Sequence, residues 1–256
     1  MFPTAPQRAL ARCAPHAPAL RTPALPVPEQ LKLSEIFSSL QGEGPSAGAP
    51  ALFVRLALCN LRCSWCDTRY TWDFERYDYD REVRLAPLGE LSERIRGSHE
   101  GRVIFTGGEP LLQQGALTKL FATLPGELKI EVETNGTLVP EPALAERVDQ
   151  WNVSPKLAHA GDPEARRIRS DALLALRDTG RAFLKLVLQR EQDLGEVEAL
   201  IERFAWPRER VYLMPEATTP SEHASRAEVV AEWCQKRGLR FSPRLHVTLW
   251  GGERGR

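Results

Sequence analysis

GRVIFTGGEPLLQQGALTKLFATLPGELKIEVETNG, residues 101–136, decides the fold class. An apolar run over 102–106 ends in the polar, glycine-rich TGGEP (106–110). A helix-period segment follows over 111–123, and a second apolar run over 128–133 ends in ETNG (133–136). Short apolar strands separated by a helix of this length make a βαβ unit with parallel strands. The rhythm continues outward. Strands are predicted over 51–58, 150–153, 182–188, 210–214 and 245–250, and helices over 87–96, 141–148, 170–179, 192–204 and 220–237. The chain therefore reads as α/β. TGGEP, ETNG and SPK (154–156) each begin where a strand ends. Ligands bind at the carboxyl ends of strands in parallel barrels and open α/β sheets, so one binding face is expected.

Composition narrows the classes. The 256 residues suit one enzyme-sized domain, and 42% hydrophobic with 27% charged residues excludes a disordered or collagenous chain. Thirty-four basic side chains balance 34 acidic ones, which gives no overall electrostatic reason to bind nucleic acid or an anionic membrane. No apolar run approaches the roughly 20 residues of a membrane span. These features predict a soluble, cytoplasmic protein. Residues 1–28 hold seven prolines, seven alanines, three arginines and no acidic residue. Such a segment buries too little apolar surface to offset its ordering entropy. Residues 1–30 are thus expected to form a disordered extension, with a transit peptide as the alternative, and 31–256 the catalytic domain.

Three of the five cysteines, Cys59, Cys63 and Cys66, fall in CNLRCSWC directly after a predicted strand. Three thiolates crowded in one loop can each bind a different iron of a cubane and leave the fourth iron open. A structural zinc site wants four protein ligands, and the remaining cysteines and histidines lie far away in sequence; a distant ligand that folds in keeps zinc open. Disulfides suit an exported protein, which nothing indicates. Cys13 and Cys234 stand apart from the cluster.

C-x3-C-x2-C with Trp65 before the last cysteine, followed by TGGEP, resembles the signature of radical S-adenosylmethionine enzymes. The longer run IFSSLQGEGPSAGAPALFVRLALCNLRCSWCDT, then TGGEP, ETNG and SPK in that order, is similar to the 7-carboxy-7-deazaguanine synthase family. The resemblance runs from about Leu33 to Lys156 and thins beyond. It implies a partial, irregular (β/α) barrel, a 4Fe-4S cluster on the three cysteines, S-adenosylmethionine and Mg2+. It implies conversion of 6-carboxy-5,6,7,8-tetrahydropterin to 7-carboxy-7-deazaguanine with loss of ammonia, on the way to queuosine. A flavodoxin or ferredoxin as electron donor and a homodimer are implied likewise. A glycyl-radical activating enzyme shares the cluster chemistry but has no need of LQGEG. A non-catalytic iron–sulfur or zinc module leaves TGGEP, ETNG and SPK unexplained.

The resemblance also assigns residues. Trp65, Cys66, Asp67, Gly108, Glu109, Ser154, Pro155 and Lys156 match the S-adenosylmethionine segments, and Thr68 the magnesium position. Leu40, Gln41, Gly42, Glu43, Arg55, Thr106 and His246 match the substrate side. Each has a plainer reading: LQGEG is an ordinary turn, the glycine pair before Pro110 a loop-to-helix junction, and Lys156 a solvated charge. For Arg55, strand alternation gives independent support. Leu52, Val54, Leu56 and Leu58 share one face of ALFVRLAL, so Arg55 points to the other, into the interior. There it either pairs with a strand glutamate such as Glu133 or holds a substrate carboxylate in its planar fork. The RLHVTLWG end only partly matches, with Val247 where a lysine is expected and an unfamiliar GGERGR after it.

Overall fold

The alternation read in Arg55's strand holds along the sheet. The computed structural model describes Met1 and residues 29–256, so nearly all of the expected N-terminal extension, Cys13 included, lies outside the described residues. Nine strands follow in chain order: β1 Gln30–Leu40, β2 Pro50–Leu56, β3 Arg84–Pro87, β4 Arg102–Gly107, β5 Lys129–Thr134, β6 Gln150–Val153, β7 Ala182–Leu188, β8 Val211–Pro215 and β9 Arg240–Phe241. They form one sheet in the order β3-β1-β2-β4-β5-β6-β7-β8-β9. From β2 to β9 every pairing is parallel. The two edges do not meet among the described residues, so the sheet is a partial barrel, as expected.

Nine α-helices connect or cover these strands among the described residues: α1 Tyr79–Glu82, α2 Leu88–Arg96, α3 Gln114–Thr123, α4 Pro142–Arg147, α5 Glu164–Arg167, α6 Ser170–Asp178, α7 Asp193–Phe204, α8 Pro220–Arg237 and α9 Leu245–Trp250. One face of the sheet supplies Leu52, Val54, Val103, Phe105, Ile130, Val132, Leu184, Leu186 and Leu213 to the main core, packed with helix residues such as Leu117, Leu173 and Val197. The other face carries Arg55, Thr106, Glu131, Glu133, Asn152 and Lys185, beside a small apolar patch of Ala51, Phe53, Ile104 and Phe37. A barrel interior lined by charges cannot close as a dry core. It is a cavity.

The sheet contains strands outside the predicted set, and one expectation is corrected. The segment before LQGEG is a full strand, β1, antiparallel to both β2 and β3. Its buried positions change phase between Leu33 and Glu35, where the register with β2 shifts, so simple alternation fails across the irregularity. The strand predicted over 245–250 is helix α9. Leu245, Val247 and Leu249 alternate like a strand, but short apolar runs do not distinguish the two periods. In the helix Val247 is buried and Leu249 is exposed.

Candidate active site

A cavity of about 360 Å3 opens at the carboxyl ends of the parallel strands. Its wall includes Leu40, Gln41, Gly42, Glu43, Arg55, Cys59, Cys63, Trp65, Cys66, Asp67, Thr68, Thr106, Gly108, Ser154, Lys156 and His246. Of the residues singled out in the sequence, only Glu109 and Pro155 do not line it.

The cysteine loop leaves β2 and is held mainly by neighbouring loops. Asp162 Oδ2 accepts the Arg62 backbone N–H at 2.9 Å, and the Ala160 carbonyl accepts that of Ser64 at 2.9 Å. Asn60 Nδ2 donates to Thr137 Oγ1 at 2.8 Å. Leu61 and Cys63 are buried against Ala160, with Cys59, Trp65 and Cys66 around them. The Trp72 indole N–H points at Cys66 Sγ, 3.3 Å away. Burial pushes the Cys59 thiol up to about 12 and raises that of Cys63 too. Thiolates here therefore call for a cation, which bound iron supplies. Among the described residues no three His, Cys, Asp or Glu side chains close on one ion as a mononuclear centre requires. Three thiols grouped in one loop and lining one cavity suit a cluster, in which each takes a different iron.

TGGEP packs directly on that loop. Gly108 N donates to the Leu56 carbonyl at 3.0 Å and Glu109 N to that of Leu58 at 2.8 Å. A Cβ on Gly108 would lie 1.9 Å from the Leu58 carbonyl oxygen, so only glycine permits this approach. Glu109 differs from its assigned role: its carboxylate turns away from the cavity and is wholly buried. It accepts from the Thr134 hydroxyl at 2.8 Å and from the backbone N–H groups of Asn135 (2.7 Å) and Leu111 (3.0 Å). It straps TGGEP to ETNG. Burial nevertheless raises its pKa. Lys156 Nζ donates to Ser154 Oγ at 3.0 Å and lies 5.4 Å from the Trp65 ring centroid.

A chain of charges lines the cavity as well. Lys185, buried on β7, bridges Glu43 and Glu133, the latter at 3.2 Å. Glu133 also accepts from Thr106 Oγ1 at 2.8 Å and from Gln41 Nε2 at 3.3 Å. Arg244, just before α9, donates to Glu43 Oε1 at 3.1 Å and to Asp67. Burial alone would push Glu43 up, but Lys185 and Arg244 hold it well below the usual carboxylate range. His246 sits beneath Gly42, whose absent side chain makes room for the ring. Burial lowers its pKa, against the pull of the Glu43 carboxylate 3.9 Å away and with the help of the Arg244 charge. Arg55 pairs with Glu35, its register partner on β1, and not with Glu133: Nε meets Glu35 Oε2 at 2.9 Å.

The sequence reading missed Lys185, Arg244, Glu35 and Arg254. A lysine at the inward phase of AFLKLVL repeats the signal that exposed Arg55, so alternation could have found Lys185. Arg244 and Arg254 carry no local signal.

Comparison with known proteins agrees with this geometry. The Radical SAM superfamily pattern matches residues 55–169. The chain is similar to the 7-carboxy-7-deazaguanine synthases of Pyrobaculum aerophilum (38% identical over 89% of this chain and 98% of that one) and Hyperthermus butylicus (40% over 86% and 92%). The crystal structure of QueE from Escherichia coli superposes with a TM-score of 0.65 at 27% identity, covering 85% of this chain and 95% of that one. With nearly the whole length of such relatives matched and the cysteine loop, TGGEP and SPK gathered around one cavity, the chain belongs to the 7-carboxy-7-deazaguanine synthase family of radical S-adenosylmethionine enzymes.

Proposed function

We propose that residues 31–256 act as one catalytic unit that converts 6-carboxy-5,6,7,8-tetrahydropterin to 7-carboxy-7-deazaguanine and ammonia. The observation that carries the reading is one cavity whose lining holds the three thiols together with Arg55, Gln41, Thr106 and Glu133. Substrate and product differ in composition by ammonia alone, so the conversion is redox-neutral and consumes no net oxidant. When bound, a 4Fe-4S cluster with S-adenosylmethionine supplies the radical that takes a hydrogen atom from the substrate.

The chain's own groups bind and orient. Cys59, Cys63 and Cys66 hold the cluster. Gly108, Ser154, Lys156, Trp65 and Asp67 bind S-adenosylmethionine, with Lys156 as the cation for its carboxylate. Arg55 takes the substrate carboxylate, because Glu35 engages only its Nε. Gln41 and the Glu133 carboxyl face the donor-rich pterin edge. Neutral His246, seated under Gly42, completes that wall. Thr68, whose hydroxyl lies 3.7 Å from Cys66 Sγ, contributes one oxygen to Mg2+, which keeps waters and takes others from substrate. Exposed Arg62 and Arg166 beside the cysteine loop suit an acidic electron donor such as flavodoxin or ferredoxin.

The test is direct. Anaerobically reconstituted protein, reductant, S-adenosylmethionine, Mg2+ and the carboxypterin are incubated, and products are read by mass. Appearance of 7-carboxy-7-deazaguanine with an equivalent of ammonia is expected. Intact pterin beside a fully loaded cluster would refute the assignment.

A further inference from the structure

Arg254 lies in GGERGR, outside the segments that carry the family resemblance, yet the fold carries it to the cavity. Its guanidinium stacks on Tyr70, 3.7 Å from the ring centroid. Its Nε donates to Glu35 Oε1 at 2.8 Å and its Nη2 to Glu82 Oε2 at 2.8 Å. Glu35 is thereby shared three ways. Its other oxygen, Oε2, accepts from Arg55 Nε and from the Tyr70 hydroxyl, each at 2.9 Å. Arg55, Tyr70 and Arg254 line the cavity, whereas Glu35 does not.

This sharing has a consequence for Arg55. A carboxylate with one arginine partner favours the end-on, bidentate fork, which would occupy nitrogens that a substrate carboxylate needs. Arg254 Nε draws Oε1 to its own side while Tyr70 and Arg55 Nε share Oε2, an orientation in which the end-on fork to Arg55 is not made. Glu35 therefore binds Arg55 through Nε only, and among the described residues no group hydrogen-bonds to the two terminal nitrogens. We propose that Arg254 is a positioning residue for the substrate carboxylate, acting through Glu35 to keep the terminal nitrogens of Arg55 open to the cavity. The inference rests on the assignment of Arg55 to that carboxylate.

The test uses the full-length, cluster-loaded protein with S-adenosylmethionine, into which 6-carboxy-5,6,7,8-tetrahydropterin or the same pterin lacking the carboxylate is titrated. Arg254→Gln is expected to weaken the carboxylated ligand about tenfold, the order lost with one charged hydrogen-bond anchor. Binding of the pterin without carboxylate and of S-adenosylmethionine stays unchanged, and in turnover KM rises while kcat holds. Arg254→Lys, which keeps a donor for Glu35, recovers most of the loss. Arg55→Gln is run in parallel. If Arg55→Gln loses affinity and Arg254→Gln does not, the positioning role is overturned and the carboxylate assignment stands. Unchanged affinity in Arg55→Gln overturns the assignment beneath it. Equal weakening of both pterins by Arg254→Gln marks a general loosening of the mouth and also overturns the proposal.

Discussion

At the cysteine end of the cavity the loops hold one another chiefly through backbone groups: Arg62 and Ser64 by their N–H groups, Gly108 and Glu109 by theirs. At the Arg55–Glu43 end the partners are charged side chains from β1, β2, β5, β7 and the segment around α9. The difference is physical. A cofactor that recurs across many reactions is served by a fixed backbone cradle. On the proposed assignment, a substrate recognised by its charge is served by a balanced set of ions, each affordable in the interior only because another stands beside it.

The charged wall fails most severely when its central cation goes. Lys185→Met leaves Glu43 and Glu133 facing each other's neighbourhood without the ammonium between them. Breaking a buried pair from one side costs about 3–5 kcal/mol, so urea denaturation is expected to show a loss of that order, with part returned by adding Glu43→Gln. A loss below about 1 kcal/mol, the scale of an exposed pair, would show that the wall is not a coupled network.

A smaller effect separates the two ends by pH. Glu43 titrates well below its ordinary value, so its stabilisation is complete above the usual carboxylate range and is lost as pH falls beneath it. Glu109, at the cofactor end, is raised by burial. Its ionised form is a cost at neutral pH, and stability rises as pH falls from the raised value towards the ordinary one, about 4.3. Midpoints of urea denaturation between neutral and acid pH are therefore expected to flatten in Glu43→Gln and to steepen in Glu109→Gln. Parallel curves for the two variants would contradict the opposite signs. Glu109→Gln also sets an amide donor against one of the N–H or O–H groups that its carboxylate accepts, for about 1–3 kcal/mol at all pH values.

The two ends also differ in how far the sequence reveals them. Cys59, Cys63 and Cys66 fall within eight consecutive positions, and TGGEP and SPK are contiguous, so each piece of the cofactor end is visible where it stands. Their meeting follows from parallel strands ending on one face. The substrate end is assembled from single residues far apart in the chain. Arg55 was legible because one charge interrupts a strict alternation, and Lys185 obeys the same rule. Glu35 was obscured by the phase change in β1, and α9 by an apolar spacing common to both periods. Arg254 lies 219 positions from Glu35 and meets it only through the curvature of the whole sheet. Glu109 shows the limit of a motif: its place in TGGEP was legible, but the direction of its carboxylate was set by orphan N–H groups in ETNG.

Titration of both ligands into one pair of variants tests most directly the division of the cavity into a cofactor wall and a substrate wall. S-adenosylmethionine and the carboxypterin are each titrated into folded, cluster-loaded Lys156→Ala and Arg55→Ala. The expected pattern is crossed: Lys156→Ala loses S-adenosylmethionine affinity and keeps the pterin's when the pterin is added alone. Arg55→Ala keeps S-adenosylmethionine affinity and loses about 2–5 kcal/mol of pterin binding, the scale for truncating one partner of a desolvated charge pair. If either variant lost both ligands alike, or Arg55→Ala bound the carboxypterin normally, the two-walled cavity described here would be wrong.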